Sequence, residues 1–244
     1  MTVAGHLTEL RRRLFWSILA FVAMSVVCFI FIQRFVDAAT ALSPDFSFVY
    51  LSPSELVTSY MKLALVLGLA FSSPVILWQI WSFVQPGLTK AEQRAARSAL
   101  VAGFAFFVAG MAFCFFVILP VTLQFFYNFN GSKDIVPSIS FQNYMNFVLG
   151  MLTAFGIVFE MPVLSYLLTR LGLLKPGTLV SARKYAVVLV FVLAAIITPP
   201  DVVSQLMAAL PMLGLYELSI VVARVAAKNR PAETEDEEEE PAAE

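Results

Sequence analysis

The sequence contains few of the side chains that enzymes use for acid–base and metal chemistry. Its 244 residues include one histidine, His6, and two cysteines, Cys28 and Cys114, which both lie inside apolar runs. Because His6 precedes the first of these runs, it cannot form a Ser–His pair within the membrane. A single histidine also cannot build a His-rich zinc site, and no glycine-rich phosphate loop is present. We therefore expect no enzymatic activity, no cofactor and no metal. The cysteines are expected to pack as small hydrophobic side chains.

Charge is scarce as well. Only 14% of the residues are charged, 59% are hydrophobic, and the mean hydropathy is +0.82. A soluble domain of this length needs more polar surface, whereas apolar runs of roughly 20 residues match a hydrocarbon core about 30 Å thick. Lipid offers the backbone no hydrogen-bond partners, so each run should be a helix. The sequence therefore predicts an all-α membrane protein.

Six runs are candidate transmembrane helices. They cover residues 14–35, 61–81, 98–120, 145–168, 186–198 and 202–225. The fifth run is too short for an ordinary bilayer without local thinning, and the sixth follows it at once, so the two should form a tight hairpin. No internal repeat of the kind found in many transporters is visible.

Three regions follow from this division of the chain. Residues 1–13 are predicted to form a cytoplasmic amphipathic segment, and residues 14–225 the six-span domain. Residues 226–244 are predicted to be a disordered acidic tail, because the block of like charge from 233 to 240 repels itself and buries nothing.

The positive charges predict the orientation. If the N-terminus is cytoplasmic, 13 of the 16 lysines and arginines fall on the cytoplasmic side, and only Arg34, Lys62 and Lys133 fall outside. Cytoplasmic loops of membrane proteins carry the excess of positive charge. We therefore expect a plasma-membrane protein with both termini in the cytoplasm.

Prolines should shape several of the spans. Pro74, Pro162 and Pro211 lie inside the second, fourth and sixth spans, and the third is expected to end at Pro120. A proline inside a helix removes one backbone hydrogen bond and bends the helix. Several bent helices packed together are expected to form a concave cup.

Three helix starts have the spacing of a capping box. A hydroxyl residue precedes an acid by three positions, so that the hydroxyl accepts the N–H of the third residue and the acid accepts the N–H of the cap. The pairs are Ser52 with Glu55, Thr89 with Glu92, and Thr198 with Asp201. The four expected structural caps are therefore Ser52, Thr89, Thr198 and Asp201.

Two of the polar side chains within the predicted spans are candidate binding residues. Glu160 is in the fourth span, where an ionisable group is costly unless it faces protein or water, so it is a candidate functional site. The structural alternative is a helix–helix hydrogen bond made by the protonated acid. Gln205, one turn after Asp201, can donate to a partner helix in the bilayer or to another helix of this chain.

Two acids lie on the predicted cytoplasmic face, which is otherwise rich in cations. Glu9 has a structural alternative, since it can pair with Arg12 and Arg13 three and four residues on. Glu92 has the capping box as its alternative. Together the two carboxylates would suit the binding of a cationic peptide.

Several motifs, in order, resemble one family. HLTELRRRL, SSPVILWQIWSFVQPGLTKAEQR, FGIVFEMPV, TPPDVVSQ and PMLGLYE resemble segments of the TatC family, the core receptor subunit of the twin-arginine protein translocase. The resemblance extends over residues 6–224, nearly the whole chain apart from the tail.

The resemblance implies a function. TatC-like proteins bind signal peptides with two consecutive arginines and start the export of folded precursor proteins. They work with single-span partners of the TatA and TatB kinds and use the proton-motive force. The resemblance further implies self-association in the bilayer, and we expect no nucleic-acid partner.

The resemblance also assigns residues to roles. The acids matching Glu9 and Glu92 bind the arginine pair, and Arg11 and Phe83 lie in the same motifs. The acid matching Glu160 faces a groove and contacts partner spans, and Gln205 lies in the partner-docking edge. Planar guanidinium groups bind carboxylates in a bidentate manner that lysine cannot copy, which agrees with these assignments.

A second hypothesis is a secondary transporter or channel for a small solute. Glu160 would then be its proton or ion site. The short fifth span and the absence of a repeat argue against it.

Overall fold

The computed structural model describes residues 3–43, 47–85, 89–128 and 138–228. Within them the helices are α1 (Val3–Ile30), α2 (Ile32–Thr40), α3 (Pro53–Val84), α4 (Lys90–Phe113), α5 (Leu119–Asn128), α6 (Phe141–Phe159), α7 (Met161–Arg170), α8 (Pro176–Ser181), α9 (Arg183–Ile197) and α10 (Val202–Lys228). Two short strands are β1 (Ser47–Val49) and β2 (Ser138–Ser140), and a π-helical turn, Cys114–Ile118, joins α4 to α5.

Five segments of the described chain are long and apolar enough to cross a membrane. They are Leu7–Ile30, Pro53–Phe83, Ala96–Asn128, Phe141–Arg170 and Val202–Lys228. This confirms the prediction of a helical protein with several membrane helices. The fifth predicted span corresponds to α9, which has 15 residues. At about 1.5 Å per residue α9 is roughly 22 Å long, less than the hydrocarbon thickness of about 30 Å.

The two strands fix where α3 and α6 begin. β1 pairs with β2 in parallel, with Phe48 opposite Ile139, and each strand leads within a few residues into its helix. Both helices therefore start at the same end of the bundle. The Phe48 ring lies 4.9 Å from the ring of Tyr144, whose hydroxyl donates to the Ala39 carbonyl of α2 at 2.6 Å. We call this end, where α2, β1 and β2 pack over the starts of α3 and α6, the strand end.

Glycines allow the closest helix contacts. A Cβ atom on Gly68 of α3 would lie 2.6 Å from the Ser25 Cα of α1, and one on Gly110 of α4 would lie 2.6 Å from the Phe155 carbonyl oxygen of α6. Backbones approach this closely only where a side chain is missing. Ten of the 19 residues of α6 are buried, so this helix forms the centre of the bundle.

Pro162 coincides with a break in the fourth long segment. α6 ends at Phe159 and α7 begins at Met161, with Glu160 between them. Because proline has no N–H, the carbonyl of Val158 loses its partner in the helix ladder. Pro74 and Pro211, in contrast, lie inside α3 and α10, which continue through them.

The prediction that the third span ends at Pro120 is wrong. The helix continues through α5 to Asn128, so the apolar segment runs from Ala96 to Asn128. The π-helical turn Cys114–Ile118 ends two residues before the proline. The wider turn changes the hydrogen-bond ladder just where proline removes an N–H, and the chain stays helical instead of stopping.

The hydroxyl cap predicted at Ser52 is wrong, although the position is right. Ser52 is the N-cap residue of α3 with an extended backbone, but its hydroxyl makes no capping hydrogen bond and lies 2.9 Å from the Ser54 hydroxyl. The competing hydroxyl two residues on explains the loss of the cap. The Glu55 carboxylate does accept a backbone N–H before the helix, that of Leu51 at 3.1 Å.

The prediction that Thr198 caps the last helix is also wrong. Thr198 ends α9, and its hydroxyl donates to the Ala194 carbonyl at 2.9 Å. The prolines that follow keep the backbone extended there. Asp201 is the cap of α10, because its Oδ1 accepts the N–H groups of Val203 at 3.1 Å and Ser204 at 2.8 Å.

Two predicted boundaries shift. From Val3 onward the predicted N-terminal segment is continuous with the first span, since α1 runs without a break to Ile30. Its cytoplasmic location stays a prediction. α10 reaches Lys228, so residues 226–228 belong to the helix and not to the tail. The remainder of the predicted acidic tail, 229–244, lies outside the described residues.

Candidate functional site

The packing of α1 on α3 brings Glu9 to the level of Phe83. Ser25 lies against Gly68, and Gln33, just beyond α1, accepts a hydrogen bond from Tyr60 at 3.3 Å, so the two helices are antiparallel. Glu9 lies 16 residues before Ser25, and Phe83 lies 15 residues after Gly68. At about 1.5 Å per residue both are roughly 23 Å from the crossing, on the same side. We call this the acid end, and it is opposite to the strand end.

At the acid end Glu9 forms an ion pair within its own helix. Its Oε1 accepts from Arg13 Nε at 3.0 Å and from a terminal guanidinium nitrogen of Arg13 at 2.5 Å. Both side chains are about four-fifths shielded from solvent, with 18% of Glu9 and 19% of Arg13 exposed. The i, i+4 pairing predicted as the structural alternative for Glu9 is thus present, while Arg11 on the same helix is exposed.

The start of α4 lies at the same end. The Gln93 side-chain amide donates to the Gln85 carbonyl at the end of α3 at 3.2 Å. Thr89 directly precedes α4, and its carbonyl accepts the Gln93 N–H at 2.9 Å. Glu92 lies in the first turn of α4, but its side chain is outside the described part of the chain, so the capping box at Thr89 stays a prediction.

Glu160 lies at the break between α6 and α7 and faces α4. A Cβ atom on Gly103 would be only 3.0 Å from Glu160 Oε2 and 3.5 Å from Oε1. The absence of a side chain at Gly103 therefore makes room for the carboxylate. Among the described residues no hydrogen-bond donor contacts this carboxylate, so they do not provide the helix–helix hydrogen bond of the structural alternative.

The hairpin of α9 and α10 is held together by polar contacts within the chain. Gln205 Nε2 donates to the Phe191 carbonyl of α9 at 3.0 Å, which is the second of the two predicted alternatives for this residue. Near the other end of the hairpin Arg183 pairs with Glu217 at 2.7 Å. The prediction from sequence spacing missed this ion pair, because the two residues are 34 positions apart.

The described residues bring no three histidine, cysteine, aspartate or glutamate side chains together as a metal site would require. The residues predicted to bind at the acid end are carboxylates, a guanidinium group and an aromatic ring. Such groups can bind a charged peptide.

These features define a class of protein: a multi-span helical membrane protein with carboxylates within and beside its long apolar helices. The chain belongs to the TatC family, because the family model described as Sec-independent protein translocase protein (TatC) matches residues 5–211.

Individual relatives agree with this membership. The Sec-independent protein translocase protein TatC of Carboxydothermus hydrogenoformans is 40% identical over 92% of this chain and 93% of its own length. That of Aquifex aeolicus is 37% identical over 94% of this chain and 98% of its own. A crystal structure described as the twin-arginine translocase receptor TatC superimposes with a TM-score of 0.81, at 38% identity, over 91% of this chain and 99% of that one.

The membership confirms the interpretation of the sequence motifs. The chain is a core component of the twin-arginine translocase, a multi-pass membrane protein and not an enzyme. It also decides against the small-solute transporter.

Proposed function

We propose that this chain is the receptor that binds the twin-arginine signal peptides of folded precursor proteins. The supporting observation is the register of α1 against α3, which brings Glu9 and Phe83 to the acid end. α4 begins at the same end, and Glu92 lies in its first turn. Carboxylates on two helices can each accept one guanidinium group in bidentate fashion. Arg11 is proposed to border the same site.

The proposal is tested by binding a two-arginine signal peptide to the detergent-solubilised full chain. The same peptide with two lysines serves as the reference. We expect clear preference for arginine, because lysine cannot form the planar two-point contact. Equal affinity for the two peptides would remove the bidentate argument.

The proposed orientation places the acid end in the cytoplasm of a plasma-membrane protein, with both termini on that side. The charge distribution supports it, since this orientation would put 13 of the 16 lysines and arginines on the cytoplasmic side, which is the side that carries the excess of positive charge in membrane proteins. In this arrangement α9 is the short fifth of six spans, in a locally thinned bilayer, and the bent helices form a concave cup.

Labelling of single cysteines tests this orientation. In a background with Cys28 and Cys114 replaced by alanine, Tyr50→Cys at the strand end should react with an impermeant thiol reagent added to intact cells. Lys175→Cys, in the connection before α8, should react only after lysis. Both side chains are exposed, so accessibility within the fold does not limit either reaction. The reverse pattern would contradict the orientation.

The proposed partners are TatA- and TatB-like single-span proteins, recruited for export driven by the proton-motive force. Glu160 is proposed to contact a partner span, because a carboxylate in a membrane helix requires a polar neighbour or water. The hairpin of α9 and α10, ordered by Gln205, is proposed as the docking edge. Ile196 of α9 is 75% exposed and offers an apolar contact there. Self-association remains part of this proposal.

Substitutions at Glu160 test its contact role. Glu160→Ala should weaken crosslinking to partner spans more than Glu160→Gln does, because glutamine keeps the hydrogen bonding of a protonated acid. Gly103→Ala should weaken crosslinking as well, since its methyl group would displace the carboxylate.

Val101→Ala on the same helix is the matched control, because Val101 is exposed and does not face Glu160. Protein level in the membrane is measured in parallel. Crosslinking in Glu160→Ala that equals the parent chain would remove the contact role.

A further inference from the structure

An apolar groove opens on one side of the bundle between α3, α6, α9 and α10. It has a volume of about 570 Å³. Its walls are formed by aliphatic side chains and methionine, among them Leu65, Leu149, Ile157, Leu193, Ile197 and Met212. Among the described residues, the polar side chains that line it are Lys62, Asn146 and Thr153. In a bilayer such a surface would face lipid.

Lys62 places a positive charge at one end of this groove. Its ammonium group donates to Asn146 Oδ1 at 3.1 Å. Lys62 lies early in α3 and Asn146 early in α6, so the pair is near the strand end. An ammonium group has three donors, and Asn146 accepts one of them. No carboxylate in the described part of the chain lies within ion-pair distance of Lys62.

The length of the groove separates two kinds of occupant. Along α6 it extends from Asn146 to Val158, which at about 1.5 Å per residue is roughly 18 Å. That is about half of a hydrocarbon core some 30 Å thick. A transmembrane helix needs the whole thickness, whereas the acyl chain of a lipid needs one leaflet.

We propose that this groove binds one anionic phospholipid of the leaflet at the strand end. Its phosphate accepts from Lys62, and one acyl chain lies along the groove towards Ile157. The charge of Lys62 selects an anionic headgroup, and the apolar walls select a chain and not a free anion. This site is distinct from the acid end and from Glu160.

The test measures lipid retained by the purified full chain in native mass spectrometry. Phosphatidylglycerol is compared with phosphatidylcholine of the same acyl chains. Both headgroups carry a phosphate, but the choline cation of phosphatidylcholine repels the Lys62 ammonium group. The parent chain should therefore retain phosphatidylglycerol in severalfold preference. Lys62→Gln should abolish the preference, and Lys62→Arg should keep it.

Arg34→Gln is the matched control. Arg34 is a second cation near the strand end, but it stacks on Phe31 at 5.6 Å and does not line the groove. It should leave the preference unchanged. Thr153→Phe, which puts a ring into the groove, should lower retention of both lipids.

Three results would overturn the proposal. In the first, Lys62→Gln retains phosphatidylglycerol as the parent does, or Lys62→Arg loses it. In the second, Thr153→Phe leaves the retention of both lipids unchanged. That result would mean that no acyl chain lies in the groove and that the lipid contacts the protein only through its headgroup. In the third, a photocrosslinker at Leu65, which lines the groove from α3 and lies outside the proposed docking edge, labels a partner protein in membranes and not lipid.

Discussion

The Glu92→Gln variant is expected to bind a two-arginine signal peptide roughly ten- to a hundredfold more weakly than the parent chain, because one charge-assisted contact is worth about 1.5–3 kcal/mol. Glu9→Gln should lose affinity by a similar factor. The double variant should lose less than the product of the two factors, since both carboxylates serve one bound arginine pair. The measurement is fluorescence anisotropy of the labelled peptide with the detergent-solubilised full chain.

Two controls separate peptide binding from local structure. Glutamine also serves at the third position of a capping box, so Glu92→Gln should leave the start of α4 in place. Arg13→Gln breaks the ion pair of Glu9 but keeps its carboxylate, and should bind the peptide at least as tightly as the parent. If Arg13→Gln loses as much affinity as Glu9→Gln, peptide binding depends on the intact ion pair and not on the Glu9 carboxylate alone. If Glu92→Gln binds normally, Glu92 is only a cap.

Gly68→Ala is expected to destabilise the fold by about 1–3 kcal/mol, the range for an overpacked site. The added methyl carbon would lie 2.1 Å from Ser25 Oγ and 2.6 Å from Ser25 Cα. The second atom is backbone, so α1 must move away from α3. Thermal denaturation of the purified chain measures the loss, and peptide binding should weaken with it, because the same crossing positions Glu9.

Gly214→Ala is the matched control for this substitution. A Cβ atom at Gly214, also inside a helix, would meet no atom within 4 Å. It should be neutral or stabilising by about 0.5–1 kcal/mol, since alanine favours the helix. Ser25→Gly combined with Gly68→Ala should recover part of the loss by removing the hydroxymethyl group. Equal denaturation temperatures for Gly68→Ala and Gly214→Ala would show that the crossing tolerates a wider spacing.

Local chemistry made much of the fold predictable. Apolar runs and their length identified the membrane helices, and the i, i+4 spacing anticipated the pair of Glu9 with Arg13. The family motifs added the functional interpretation. Each of these signals depends on residues close together in sequence.

Contacts between distant segments were not predictable in this way. Arg183 and Glu217 meet only because α9 and α10 pack together, and helical spacing identifies neighbours no further than four positions apart. The room that Gly103 leaves for Glu160 depends on the packing of α4 against α6 in the same way. At Thr198 two candidate caps competed, and the spacing alone did not show that Asp201 would take the position.

The π-helical turn has a consequence for the third long segment as a whole. A π-turn holds one residue more than an α-turn, so every side chain after it is rotated by about 100° relative to an unbroken helix. The buried positions shift accordingly, from Gly103 and Gly110 before the turn to Leu119, Thr122 and Leu123 after it. Without the extra residue α5 would present a lipid-facing row of side chains to the core. The segment thus behaves as two helical surfaces that are out of phase by one residue, joined into one continuous rod.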